Sequence, residues 1–225
     1  MLQATVLIPA FNEKNRIGTV LQPFLTLPWI QQIIVIDDGS TDNLGKFLVT
    51  NFPQIKLISQ ATNQGKTAAI QAGLNQVTTP WVLLFDADIW QFQTSELTLA
   101  WNQLKTHPQF DVLILQAISD PWYQRLGGFD ILFSGERLIK TSVLKRFFKS
   151  HQPKNYELEL VFNHWCFKTG IKLTTWPLAM KNHAKLQKWP WWQALPRSWS
   201  VYGQWLTPRG FFELVWQIFT LPKRL

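Results

Sequence analysis

Asp86 and Asp88 stand two residues apart, directly after the apolar run at residues 81–85. Alternate residues at the end of a strand, where the chain begins to turn, can aim two carboxylates at one point. Such a pair binds a hard cation, Mg2+ or Mn2+, and leaves the remaining positions to water and phosphate oxygens. A cation placed there neutralises a leaving diphosphate. The plainer alternative is a turn with an Asp helix cap. Asp37 and Asp38 close a second apolar run and precede Gly39-Ser40-Thr41-Asp42. They suit a carboxylate that hydrogen-bonds a nucleobase or ribose, or equally a β-turn followed by a cap. Asn63-Gln64-Gly65-Lys66 opens a helical stretch whose free N–H groups and lysine suit an anion. The spacing is not that of a P-loop. No Gly-x-Gly-x-x-Gly is present either, which argues against a dinucleotide oxidoreductase.

The elements that must position these groups alternate. Strands are expected at residues 4–8, 33–36, Lys56–Ser59, 81–85 and 111–115, with a further one at 172–176 ended by Pro177. Helices are expected from Glu13 onward, where Ile17, Val20, Leu21, Phe24 and Leu25 form a stripe, and at residues 66–76, 95–107 and 156–168, with another beginning near Thr141. Pro23 and Pro28 leave the end of the first helix open. The continuous apolar run at 33–36 is that of a strand buried on both faces. Strand and helix in alternation with short links predict a parallel, doubly wound α/β sheet. Ligands of such sheets sit beyond the carboxyl ends of the strands. The polar clusters after Ile8, Ile36 and Phe85 fall at those ends and converge on one crevice.

In this order, "VLIPAFNE", "IIVIDDGSTDN", "NQGKTAAIQAGL" and "VLLFDADI" resemble family 2 of the inverting nucleotide-sugar glycosyltransferases. "SGERLIKTSVL" and "YELELVFNHWCFKTGIKL" continue the match, which looks most like the dolichyl- or polyprenyl-phosphate sugar transferase branch. The resemblance covers about residues 2–183. It implies a GT-A fold, a Rossmann-like, mostly parallel sheet flanked by helices, for a catalytic domain at residues 1–183. By the same resemblance Pro9, Ala10, Asn12 and Glu13 form the nucleotide-binding loop, and Asp38 holds the base. Gly65 and Lys66 lie near the nucleotide, and Asp86 and Asp88 form the metal–diphosphate motif. Glu159 matches the acidic residue of the acceptor-side helix, with Glu157 as its rival two positions away. Two residues so spaced do not share a helix face, so only one of them should reach the site. Arg137 would meet a donor or acceptor phosphate, the alternative being a surface arginine. His183 would complete the metal shell, and Lys181 and Lys185 could close over the diphosphate, against structural and solvated roles respectively. The implied reaction carries a sugar from a nucleoside-diphosphate sugar to an acceptor, a lipid such as a polyprenyl phosphate, with inversion.

Composition agrees with a folded domain. Of 225 residues, 46% are apolar and 16% charged, which excludes a disordered chain. The single Cys166, expected as a small core residue, excludes an intramolecular disulfide framework. Residues 184–225 are read as a Trp-rich, basic, helical appendage that packs on the acceptor side or lies on a membrane surface. From residue 181 onward seven Lys/Arg face one acid, so this stretch carries +6 of the chain's +8. Seven of the 13 Trp lie at or after Trp176. Basic residues with amphipathic rings favour a headgroup region over nucleic acid. The apolar run at 211–221 is too short for a membrane span, and no secretory leader is read. The expected location is cytoplasmic, peripheral on the membrane's inner face. A sugar nucleotidyltransferase is disfavoured because its Gly-rich N-terminal signature is absent. The intact Asp86, Asp88 and Glu159 set disfavours a catalytically dead module.

Overall fold

A computed structural model describes residues 2–117, 134–153 and 158–182. Glu157, His183, Lys185 and the whole of 184–225 lie outside the described residues, as do the side chains of Trp90, Lys181 and Asn182. The elements run β1 (Ala4–Ala10), α1 (Lys14–Phe24), β2 (Ile30–Asp37), α2 (Leu44–Asn51), β3 (Lys56–Ser59), α3 (Lys66–Leu74), β4 (Trp81–Leu84), β5 (Ile89–Phe92), α4 (Thr94–Thr106), β6 (Val112–Ala117), β7 (Arg137–Lys140), α5 (Thr141–Ser150), α6 (Leu158–Lys168), β8 (Leu173–Leu178) and β9 (Met180–Asn182).

Seven strands form one sheet in the order β3-β2-β1-β4-β7-β6-β8, and β5 pairs with β9 in a separate antiparallel ribbon. The β3-β2-β1-β4 half is parallel, as the alternation predicts. β7 runs antiparallel between β4 and β6. The sequence reading left β7 unassigned because Arg-Leu-Ile-Lys carries only two apolar residues. The sheet supplies what the pattern lacks, since both neighbours of β7 are already buried strands.

Alternation along the strands divides the core. Val6, Ile8, Ile33 and Val35 face α1, α2 and α4, where Ile17, Leu21, Leu44 and Trp101 close the layer. Leu7, Ile34 and Ile36 face α3, α5 and α6, packing with Ile70, Leu74, Phe147, Phe162 and Cys166. A strand covered on both faces must be apolar at every position, which is why 33–36 reads as an unbroken run.

Two prolines, Pro9 and Pro177, depart from expectation, each for a backbone reason. Pro9 lies inside β1, because β4 pairs with β1 only as far as Leu7 and has diverged where the missing N–H would matter. Pro177 does not end β8. That strand is the sheet's outer edge and runs on to Leu178. Pro23 sits in the last turn of α1, one residue before the end.

Cys166 is fully buried against the α3–α6 layer. Burial pushes its thiol up to about 12. It should therefore stay unreactive toward a thiol reagent at about pH 8 until denaturant is added. Because the folded value exceeds the unfolded one, its contribution to stability is complete below about pH 8.5 and declines as pH rises beyond it. Prompt labelling of the native protein would contradict this packing.

Candidate active site

The three N-terminal loops are tied together by side chains that bond backbone. Asn12 adopts a left-handed φ of 58°. Its Oδ1 accepts from Thr41 N at 2.8 Å, while its own N–H donates to Ser40 Oγ at 2.9 Å. Asp37 Oδ1 accepts from Ser40 N at 2.9 Å. Asp42 Oδ2 accepts from Lys14 N at 2.9 Å. Glu13 precedes α1 and pairs with Arg16 at 2.7 Å. Pro9 and Ala10 lie in β1 opposite Ile36 and Asp37.

Asp38 is 3% exposed. Its Oδ1 accepts from Gln64 N and its Oδ2 from Gly65 N, both at 2.8 Å, and its N–H donates to Ala10 O at 2.9 Å. Through backbone and carboxylate together, Asp38 thus ties the end of β2 to β1 and to the turn before α3. It also sits favourably near the positive end of that helix. Gly65, with φ 92°, makes the turn that lets both N–H groups point back. The consequence is the placement of Lys66, first residue of α3.

Lys66 Nζ lies 2.8 Å from Asp86 Oδ1, 3.0 Å from Asp86 Oδ2 and 3.1 Å from Glu159 Oε1. One ammonium bridges the carboxylate at the end of β4 and the carboxylate in the first turn of α6. Burial works against its charge, but Asp86, then Glu159 and Glu136, outweigh it and hold the lysine well above its ordinary value. Gly135 backs onto this bridge. A Cβ there would fall 2.6 Å from Lys66 Nζ and 3.0 Å from Asp86 Oδ2. The bridge opens on a narrow cleft lined by Ile70, Leu84, Gly135, Arg137 and Phe162.

Arg137 is inside the protein, 2% exposed, not on its surface. Its Nε donates to Ser134 O at 2.8 Å, its Nη1 donates to Asn163 Oδ1, and the guanidinium lies over the Phe162 ring. Burial lowers its value, with Glu159 opposing. Sequence reasoning missed Asn163, one helical turn beyond Glu159 on α6. It also missed Glu136, which is 3% exposed beside the bridge. Burial, then repulsion from Asp86, pushes Glu136 up to about 8, with Lys66 pulling the other way. The signal available was a charged pair, Glu136-Arg137, set directly before the apolar pair of β7.

The donor set suits a divalent cation. Asp86 already holds an ammonium through both oxygens, so the carboxylate is turned toward positive charge. Asp88, half-buried two residues on, adds a hard oxygen donor. Among the described residues no three His, Cys, Asp or Glu side chains stand together as a self-sufficient metal cage. A cation here would draw its remaining positions from water and phosphate oxygens.

Comparison with known proteins decides the class. The model of glycosyl transferase family 2 matches residues 5–169. The chain belongs to glycosyl transferase family 2. An uncharacterized glycosyltransferase, YibD, from Escherichia coli is 31% identical over 144 residues, 62% of this chain and 40% of that protein. A dolichyl-phosphate beta-glucosyltransferase from Trichomonas vaginalis is 37% identical over 99 residues, 37% of this chain and 28% of that one. An undecaprenyl-phosphate 4-deoxy-4-formamido-L-arabinose transferase from Yersinia enterocolitica is 32% identical over 97 residues. These relatives include the branch to which the motifs point. The chain spans less than half the length of these curated relatives. Glucosyl-3-phosphoglycerate synthase from Mycobacterium tuberculosis, crystallised with Mn2+, UDP and phosphoglyceric acid, superposes with a TM-score of 0.70 at 17% identity. The match covers 98% of this chain and 80% of that one. The fold of this family 2 member is GT-A.

Gly39 tests the loop assembly. It has φ +74°, and a Cβ would lie 2.5 Å from the Thr62 carbonyl carbon and 2.6 Å from Asn63 N. Both obstacles are backbone. Gly39→Ala should cost about 2 kcal/mol or more in urea unfolding. A variant within a few tenths of a kcal/mol of the parent would mean that the 62–65 segment yields freely.

Proposed function

We propose that this family 2 protein is an inverting, metal-dependent hexosyltransferase. It moves a sugar from a nucleoside-diphosphate sugar to a lipid acceptor, a polyprenyl phosphate or glycolipid, at the cytoplasmic membrane surface. The observation that carries the reading is the Lys66 bridge, because it brings a strand-end carboxylate and an α6 carboxylate to one ammonium. A transferase needs donor and acceptor groups within reach of one reacting carbon. The names of the relatives support the choice of acceptor class, and the basic, Trp-rich composition of 181–225 supports a surface location. No helix among the described residues is long and apolar enough to cross a membrane.

In this mechanism the 9–13 loop and Asp38 frame the nucleotide. Asp88, assisted by Asp86, would hold Mg2+ or Mn2+, and His183, outside the described residues, would be a further ligand. When bound, the cation offsets charge on the departing diphosphate. The diphosphate competes with Asp86 and Glu159 for the Lys66 ammonium, and so frees Glu159 toward the acceptor. For a hydroxyl acceptor, Glu159 takes the proton as the oxygen attacks the anomeric carbon from the face opposite the leaving group. Glu157 is its rival for that role. A phosphate acceptor is already ionised and needs no such transfer. Arg137 and nearby lysines then matter more, through the charge they set against two anions.

Calorimetric titration with a panel of nucleoside-diphosphate sugars, with Mn2+ and with chelator, tests the reading. One donor should bind and should need the metal; failure of every donor to bind would sink the proposal. Asp88→Asn should fold normally and lose about a hundredfold or more of transfer activity. Near-normal turnover would remove Asp88 from the cation. Glu159→Gln separates the acceptors. Transfer to a hydroxyl should fall about a hundredfold or more, whereas transfer to polyprenyl phosphate in vesicles should fall less than about tenfold.

A further inference from the structure

The ammonium of Lys66 occupies the place that a cation would take on Asp86. Nζ lies 2.8 Å from Oδ1 and 3.0 Å from Oδ2, so it straddles both oxygens of the carboxylate. Hard cations bind carboxylates through these same oxygens, at about 2.0–2.6 Å. An ion arriving there meets a positive charge already seated, and its attraction to the carboxylate is reduced accordingly.

The lysine is held in this place from several sides. Glu159 Oε1, in the first turn of α6, accepts from the same Nζ at 3.1 Å. Gly135 backs the bridge so closely that a Cβ there would stand 2.6 Å from Nζ. The side chain starts at the first residue of α3, and Asp38 pins the turn before it through Gln64 N and Gly65 N. Only 20% of the side chain is exposed. An incoming diphosphate offers its oxygens to the same three N–H donors. Each donor turned toward phosphate is a donor taken from Asp86. Arrival of the diphosphate and uncovering of the carboxylate are then one event.

We propose that Lys66 gates the cation site: its ammonium masks Asp86 while no donor is bound and leaves it for the donor's diphosphate, so that cation and donor bind as a coupled pair. The inference rests on the proposed reading of Asp86 as a cation ligand, and the experiment separates the two failures.

Mn2+ affinity of the full chain would be measured by counting free Mn2+ without nucleotide, for the parent, Lys66→Met and Lys66→Gln. Calorimetry would give the UDP affinity of each in chelator and in Mn2+. Without nucleotide, Lys66→Met should bind Mn2+ about tenfold or more tightly than the parent does. The factor by which Mn2+ strengthens UDP binding should fall about tenfold or more in that variant, because the mask that UDP removes is already gone. Lys66→Gln, neutral but still able to donate to both carboxylates, should move both quantities in the same direction and serves if Lys66→Met does not fold. A lysine acting through its charge alone would shift Mn2+ affinity equally with and without UDP. A factor unchanged to within about twofold would therefore overturn the inference and leave the proposed function standing. Parent-like or weaker Mn2+ binding by both variants without nucleotide would overturn it too. If none of the three proteins bound Mn2+, and Mn2+ left their UDP affinity unchanged, the inference and the cation reading of Asp86 would fall together.

Discussion

One ammonium fixes the geometry of the site. Lys66 is held by Asp86, 20 residues away, and by Glu159, 93 residues away, and these contacts join α3, the end of β4 and the start of α6. Charge pairs at this depth are not dependable sources of stability, since desolvation offsets much of their attraction. Their value lies in geometry. Removing the lysine would leave two like charges facing each other, one buried and one half-buried. The surrounding structure is accordingly built to hold this side chain. Gly135 leaves room for it, and Asp38 anchors the turn from which it rises.

Asp38 illustrates how a motif residue can serve the backbone first. The sequence suggested a carboxylate for a base. In the fold each of its oxygens already accepts a backbone N–H from residues 64 and 65. A carboxylate has spare lone pairs, so nucleotide recognition by the same group is compatible with this load. The load nevertheless explains why an aspartate, with two acceptors on a short stem, suits a position between three loops.

The strand ends after Ile36 and Phe85, the helix opening at Lys66 and the buried Cys166 were legible because local signals carry them: unbroken apolar runs, a glycine turn, a small apolar residue on an apolar face. β7 was not legible. Its burial comes from β4 and β6, which lie distant in sequence, and its own four residues are an apolar pair between two charges, without an apolar majority. The edge position of β8 was hidden in the same way, so Pro177 read as a terminator. Arg137 and Glu136 were misjudged or missed for one reason. A charged residue is assigned to the surface by default. Only the three-dimensional partners, Asn163 and Phe162 for one and the carboxylate cluster for the other, reveal that it lies inside.

The electrostatics pose a problem that the described residues do not solve alone. Carboxylates gather around Lys66, yet both proposed substrates are anionic, a sugar diphosphate and a lipid phosphate. Bringing them together needs positive charge from two sources. A divalent ion would serve at the diphosphate, where attraction must be strong and short-ranged. Capture of a lipid surface asks for many weaker charges spread over a Debye length or more. The sequence distributes its charge in that manner, with +6 of +8 after residue 180 and the carboxylates gathered at the strand ends. On the proposed reading the two tasks would fall to different parts of the sequence, the strand-end carboxylates to the ion and the basic, aromatic stretch after residue 180 to the acceptor's surface.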